Sequence, residues 1–244
     1  MKEFLYGRNA IYETLRAGRR EAFQLLLAEG VQEKGRIEQI SKLAQAQKAK
    51  VVRVPRSRLD KLNANHQGIA LEADSYPYVD VMDILESARQ KNVPPFVLVL
   101  DSLQDPQNFG TLLRTAEAVG VHGIVIPLAR TVEVTPAVVN ASSGASEHLL
   151  IAQSNLSQAI EALKAAEVWV VGLDQAGVQV EAGSRHLRGA LGLVVGSEGE
   201  GLHELTRRKC DILLKLPMRG EIESLNAAVA GSVALYLAYL ARSS

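Results

Sequence analysis

At 244 residues, 47% of them hydrophobic, the chain is long enough for one large α/β domain and a smaller one, each with its own core, and its composition excludes wholesale disorder. Its longest apolar stretches are short strand-like runs or a late helix interrupted by Gly231 and Ser232, so no membrane span is expected, and the N-terminus lacks the apolar core of a signal peptide. Net charge is zero but unevenly spread, since residues 1–75 hold 14 Lys/Arg against 9 Asp/Glu (net +5) and residues 76–244 hold 13 against 18 (net −5). A basic segment beside an acidic one fits a phosphate-anchoring module joined to a second module, or simply an ordinary solvated helix surface. The single cysteine, Cys210, excludes an intramolecular disulfide framework and fits a reducing compartment, so a cytoplasmic location is expected.

In chain order, hydrophobic periodicity predicts a helix over 9–16, a strand over 23–28, a helix over 35–47, a strand over 51–54, a short helix over 56–62 and a strand over 68–72. This is a compact α/β unit. Tyr76-Pro77 and Pro94-Pro95 bracket a short helical stretch, 81–90, which reads as a linker over 76–94. The partition is therefore 1–75, linker 76–94, and 95–244. From Phe96 onward strands and helices alternate. Strands are expected at 96–100, 123–126, 148–151, 168–172, 191–195 and 212–216, with helices at 111–119, 136–143, 156–166, 202–208 and 226–241. Most of these strands are unbroken apolar runs, as in a parallel sheet covered on both faces.

Three loops follow strand ends, where sites in parallel sheets open. The first contains Asp105-Pro-Gln-Asn108-Phe-Gly110-Thr111 and runs to Arg114. A turn at Asp105-Pro106 with Thr111 capping the helix explains the proline and glycine. Asn108 and Arg114 are left over, and an arginine in an apolar helix needs an anion or a route to water. The second, Gly196-Ser-Glu198-Gly199-Glu-Gly201, follows a buried strand. Its spacing is not the G-x-G-x-x-G dinucleotide fingerprint, and Glu198 and Glu200 disfavour a pyrophosphate, so a neutral or cationic ligand suits it better, unless it is only a tight turn. The third, Pro217-Met218-Arg219-Gly220 to Ser224-Leu225-Asn226, leads into an almost wholly apolar helix whose N-cap Ser224 could be. A helix so uniformly apolar is expected to be buried by the sheet or by a second subunit, and a homodimer is expected.

In order and spacing these motifs, N-x-G-x-x-x-R, G-S-E-G-x-G and P-M-x-G-x-x-x-S-L-N, resemble the SpoU family of RNA ribose 2′-O-methyltransferases within the SPOUT superfamily. The match covers roughly residues 96–241. The first segment is similar to the small substrate-binding domain, like ribosomal protein L30e, that many members carry. The layout, with the start Tyr6-Gly7-Arg8-Asn9-Ala10, looks closest to the 23S ribosomal RNA guanosine 2′-O-methyltransferases (RlmB type). The resemblance implies an α/β fold with a C-terminal parallel-sheet SPOUT domain over 95–244, the part at about residues 191–225 threading through a loop to tie a deep trefoil knot, one of the rare exceptions to unknotted chains.

It further implies S-adenosyl-L-methionine as cofactor, held by Gly196, Leu216, Met218 and Leu225 with Gly172 and Gly201 nearby. Asn108, Arg114, Glu198, Ser224 and Asn226 would form the reacting centre, and dimerisation would run through the knotted region. RNA would be held by Arg8, Asn9, Arg16, Arg19, Arg20, Arg53, Arg56, Arg58 and Lys61. Because guanidinium groups keep their proton in proteins, Arg114 is expected to hold a phosphate and stabilise a developing alkoxide rather than act as base. Position 228 is alanine where the family often has a hydroxyl. A transfer-RNA ribose methyltransferase, an antibiotic-resistance enzyme acting on ribosomal RNA, and a catalytically silent RNA-binding assembly factor are the competing readings; a dinucleotide oxidoreductase is remote. The scattered histidines and lone cysteine predict no metal site and no cysteine chemistry.

Overall fold

The computed structural model describes residues 2–181, 183–197, 199–222 and 224–243. They form two compact units, one comprising the chain up to Pro77 with Glu133–His148, the other Tyr78–Val132 with Leu149 onward.

The first unit is built on a four-stranded sheet ordered β1-β4-β2-β3, from β1 (Lys2–Tyr6), β2 (Ala22–Ala28), β3 (Lys50–Val54) and β4 (Ile69–Asp74). β4 runs antiparallel to both β1 and β2, whereas β2 and β3 are parallel and are joined through α2 (Arg36–Ala46). α1 (Arg8–Ala17) buries Ile11 and Leu15, and α2 buries Ile37, Ile40 and Ala44, the i, i+3, i+4 spacing of an amphipathic helix. The short α3 (Arg56–Asp60) buries Leu59. The strand β1 goes beyond the sequence expectation. Its Lys2 and Glu3 dilute the apolar signal, but pairing with β4 from Lys2↔Asp74 to Tyr6↔Ala70 makes it a strand.

Arg20 corrects the sequence reading. Its side chain is 0% exposed, donates from Nε and Nη2 to the two carboxylate oxygens of Glu147 at 2.8 Å each, and also pairs with Glu3. A guanidinium so enclosed cannot reach a phosphate, and Arg20 belongs to the core of its unit. Burial pushes the Glu3 carboxyl above its usual range, partly offset by the Arg20 charge.

The second unit carries a wholly parallel six-stranded sheet ordered β10-β8-β9-β5-β6-β7. Its strands are β5 (Phe96–Leu100), β6 (Gly123–Ile126), β7 (Leu150–Gln153), β8 (Trp169–Gln179), β9 (Leu191–Val195) and β10 (Ile212–Lys215). Every residue of β5, β6 and β9 is buried, which is why these strands read as unbroken apolar runs. α4 (Val81–Gln90) and α7 (Leu156–Ala165) place Ile84, Leu85, Ile160 and Leu163 in one core with Val97, Val99, Val125 and Val194. α5 (Pro106–Ala118) and α9 (Ala227–Arg242) pack together, and Thr115 and Ser232 hydroxyls lie 3.0 Å apart between them.

The expected partition is corrected in two places. Residues 81–90 are no linker, because Val81, Ile84, Leu85 and Ala88 are buried in the second unit's core. Residues 133–148, which hold α6 (Pro136–Ala141) and a 3-10 turn (Ala145–His148), cluster with the first unit, anchored by the Arg20–Glu147 pair and by Asn140 Nδ2 donating to Tyr6 O at 3.1 Å.

Candidate active site

The β9 strand ends at Val195, and just beyond it Ser197 is bridged to Gly201. Ser197 and Gly201 exchange backbone hydrogen bonds of 3.0 and 3.2 Å, and Gly201 holds a φ of 69°. Gly196 is required by proximity, since a Cβ there would lie 2.2 Å from the backbone carbon of Gly201 and 2.5 Å from Leu202 N. The chain then enters α8 (Glu204–Lys209).

A second wall comes from an irregularity in the sheet. β8 and β10 pair regularly at Gly172↔Leu213, but the next partner of β10, Leu214, faces Val178, so residues 173–177 bulge from the ladder. The third wall follows β10, where Leu216 and Met218 lead to Ser224, Leu225 and Asn226. Asn226, not Ser224, caps α9, its side chain accepting from the Ala228 and Val229 amides at 2.9 and 3.3 Å.

These three walls enclose a cavity of about 500 Å³ lined by Gly196, Gly201, Leu216, Met218, Ser224, Leu225 and Asn226. That volume suits a nucleoside-sized ligand. The structure therefore brings the second and third motifs together. Gly172 is not on the lining. A Cβ there would meet Leu202, Leu213 and Cys210 side chains at 2.8–2.9 Å, so this glycine serves packing within the sheet rather than ligand contact, a correction to its expected role.

Asn108 and Arg114 lie on α5 and do not line the cavity. The helix starts earlier than expected, with Asp105 rather than Thr111 as its cap: the Asp105 carboxylate accepts the Gln107 and Asn108 amides at 3.2 Å each, and Pro106 takes the first helical position. Asn108 is thus in the first turn of a helix, and Arg114 is exposed one and a half turns on, with a route to water. Glu198 lies outside the described residues.

Of the expected RNA-contacting residues, Arg8, Asn9, Arg16, Arg53, Arg56, Arg58 and Lys61 are exposed in the first unit, although Arg53 is paired with Glu33 at 2.6 Å and Arg16 with Glu13 at 3.4 Å. Arg19 donates to the Tyr76 hydroxyl at 2.9 Å and to Pro77 O at 3.2 Å.

Sequence reasoning did not single out Asp174, Gln175, Arg207 or Lys215, which also line the cavity. Asp174 follows the predicted strand end at Gly172, so the rule that ligands gather at strand carboxyl ends pointed to it. Cys210 is no nucleophile: burial, with Asp211 beside it, pushes its thiol up to about 12, and Sγ donates to Thr206 O at 3.4 Å.

The residues present suit S-adenosylmethionine. Gly196 and Gly201 line the cavity without side chains, Leu216, Met218 and Leu225 offer apolar surface for an adenine ring, and Asp174, Glu200 and Arg207 supply both signs of charge for a zwitterionic amino-acid end. Residues 95–236 match the SpoU rRNA methylase family, and residues 4–79 match the RNA 2′-O ribose methyltransferase substrate-binding family. The Bacillus subtilis (strain 168) protein YacO, assigned to the TrmH family of tRNA/rRNA methyltransferases, is 41% identical over 98% of this chain and 96% of its own length. Among solved structures, the AdoMet-bound rRNA methyltransferase of Sinorhizobium meliloti aligns with a TM-score of 0.79 at 25% identity, over 97% of this chain and 86% of that one. The SpoU methyltransferase AviRb of Streptomyces viridochromogenes, in complex with AdoMet, shares the fold with a TM-score of 0.80 at 22% identity, over 98% of this chain and 89% of that one. With motifs, fold and cavity in agreement, the chain belongs to the SpoU family and is an S-adenosylmethionine-dependent RNA 2′-O-ribose methyltransferase.

Proposed function

We propose that this enzyme methylates the ribose 2′-hydroxyl of a guanosine in 23S ribosomal RNA, working as a cytoplasmic homodimer. The observation that carries the reading is the two-module layout: a substrate-binding module over residues 4–79, beginning with the Tyr6-to-Ala10 motif, precedes a methylase module over 95–236. The likeness, over 97% of this chain, to a ribosomal RNA methyltransferase from Sinorhizobium meliloti supports a ribosomal RNA substrate. For the dimer, the support is an apolar stripe on α9, where Val229, Val233, Tyr236 and Leu240 are all exposed at helical spacing. In this reading residues 191–225 thread as a trefoil knot.

When bound, S-adenosylmethionine supplies an electrophilic methyl group. Gly196, Gly201, Leu216, Met218 and Leu225 hold it. Arg114, Asn108, Ser224, Asn226 and Glu198 form the ribose side of the site. Arg114, exposed on its helix, grips the phosphate next to the target ribose and stabilises the oxygen as it loses its proton. Asn108 and Ser224 orient the ribose, Glu198 orients Arg114, and the proton leaves to water. Arg8, Asn9, Arg16, Arg56, Arg58 and Lys61 anchor the RNA backbone.

The test is to incubate the enzyme with methyl-labelled cofactor and undermethylated 23S ribosomal RNA or transfer RNA, and to map the labelled nucleotide. Label on a guanosine ribose of 23S RNA is expected. Label on transfer RNA alone would replace the target, and label on neither, with the cofactor bound, would make the protein an RNA-binding factor. In the same assay Arg114→Lys is expected to lower turnover at least about tenfold, because an ammonium lacks the planar fork.

A further inference from the structure

The cavity wall contains an ion pair that no motif accounts for. Arg207, on α8, donates from Nη2 to Asp174 Oδ2 at 2.6 Å, while Asp174 Oδ1 accepts the Ala176 amide at 2.9 Å. Both residues line the cavity. The Asp174 side chain is only 6% exposed and the Arg207 side chain 38%, so the carboxylate is enclosed and the guanidinium is the partner with an open edge. Arg207 Nε is buried and has no acceptor among the described residues. Buried donors are almost always satisfied, so the Asp174 pair leaves the guanidinium with hydrogen-bonding capacity unspent.

The cofactor's methionine end carries one ammonium and one carboxylate. Asp174 is already committed to Arg207 and Ala176, and Glu200 repels a carboxylate. That leaves Arg207 and Lys215 as the cations on the lining among the described residues. Arg207 is the better suited, being planar, forked and pinned by an ion pair, whereas a lysine must immobilise a flexible stem around a strongly hydrated point charge.

We propose that Arg207, held in position by Asp174, binds the carboxylate at the methionine end of the cofactor. The inference rests on the placement of S-adenosylmethionine in this cavity, and it makes the 173–177 bulge functional. By leaving the β8–β10 ladder, the chain puts Asp174 where it can fix an arginine of α8.

The experiment is calorimetric titration of the full-length protein with two ligands, S-adenosylhomocysteine and methylthioadenosine. They share adenosine and thioether, but methylthioadenosine lacks the amino-acid end. Arg207→Gln is expected to weaken S-adenosylhomocysteine at least about tenfold while changing methylthioadenosine less than about twofold, and Asp174→Asn to give a smaller loss of the same selectivity. Unchanged methylthioadenosine binding also shows that the variant's cavity is folded. Equal weakening of both ligands, no weakening of either, or a selective loss in Lys215→Gln instead would overturn the assignment. If Arg207→Gln does not fold, Arg207→Lys carries the same comparison, with selective loss supporting the proposal and equal loss overturning it. Failure of the wild-type protein to bind either ligand would instead overturn the placement of the cofactor itself.

Discussion

Asp101 and His203 are joined twice: the backbone amide of His203 donates to Asp101 Oδ2, and the imidazole Nδ1 lies against Asp101 Oδ1, both at 2.9 Å. Asp101 is the first residue after β5 and His203 the N-cap of α8, so this contact ties the strand end of the first motif to the helix that follows the second. The Asp101 side chain is 4% exposed. Removing it strands a backbone amide at a helix start and breaks the ring contact. Asp101→Ala is therefore expected to cost about 1–3 kcal/mol in urea unfolding, and His203→Ala, which keeps the backbone bond, about 1 kcal/mol or less. Equal losses would show that the ring, not the backbone bond, holds the junction.

The Arg20–Glu147 pair makes a different prediction, because both partners are enclosed. Arg20→Ala leaves Glu147, itself 1% exposed, as an unpaired buried charge, with an expected loss of about 3–5 kcal/mol. Arg20→Met combined with Glu147→Gln removes both charges and is expected to recover most of it. RNA affinity of that folded double variant should match wild type, whereas Arg56→Ala with Arg58→Ala should weaken RNA binding without a stability change. A binding loss in the charge-free double variant would return Arg20 to the RNA surface.

How much of this was legible in the sequence depended on how local the deciding contacts were. The runs 96–100 and 191–195 became β5 and β9 as read, because a strand buried on both faces declares itself by composition alone. The glycine loop and the stretch 216–226 were recognisable as strand-to-helix junctions. The start of α5 was misplaced although Asp105-Pro106 is a strong helix-start signal, because Asn108-Phe-Gly110 read equally well as a loop. The membership of 133–148 in the first unit depends on a pair 127 residues apart, and no periodicity reports that. The Asp174–Arg207 wall was invisible for a similar reason. It depends on β8 skipping residues against β10, which is a property of the pairing and not of either strand.

His122 gives a pH prediction whose sign is fixed by its contacts. Its Nδ1 accepts the Phe96 amide at 3.0 Å and so carries no proton there. Burial, with the Lys91 and Arg242 charges adding to it, pushes the imidazole below its ordinary 6.5. Between the folded pKa and 6.5 the unfolded chain binds more protons than the folded one, so this contribution is present above 6.5 and is lost as pH falls through the folded pKa. Urea midpoints measured from pH 7.5 to 5.5 should fall more for wild type than for His122→Asn, which retains an acceptor but does not titrate. Parallel slopes would remove His122 from the pH response.

Gly196 and Gly172 separate ligand binding from packing. At Gly196 an added methyl group collides with the backbone of Gly201 and Leu202, at 2.2–2.5 Å, and that backbone is the turn closing the cavity. At Gly172 the obstacles are the ends of Leu202, Leu213 and Cys210 side chains at 2.8–2.9 Å, which can shift. Gly196→Ala must therefore reopen the 196–201 turn, and calorimetry should show loss of S-adenosylhomocysteine binding by at least about a hundredfold. Gly172→Ala overpacks the sheet and should destabilise the fold by about 1–3 kcal/mol while leaving ligand affinity within about threefold. Because Gly172 lies within β8, paired to Val194 of β9, while Gly196 directly follows the last residue of β9, the contrast tests whether proximity to the turn, and not merely to the sheet, determines cofactor binding. The reverse pattern, a binding loss confined to Gly172→Ala, would place the cofactor against β8 instead.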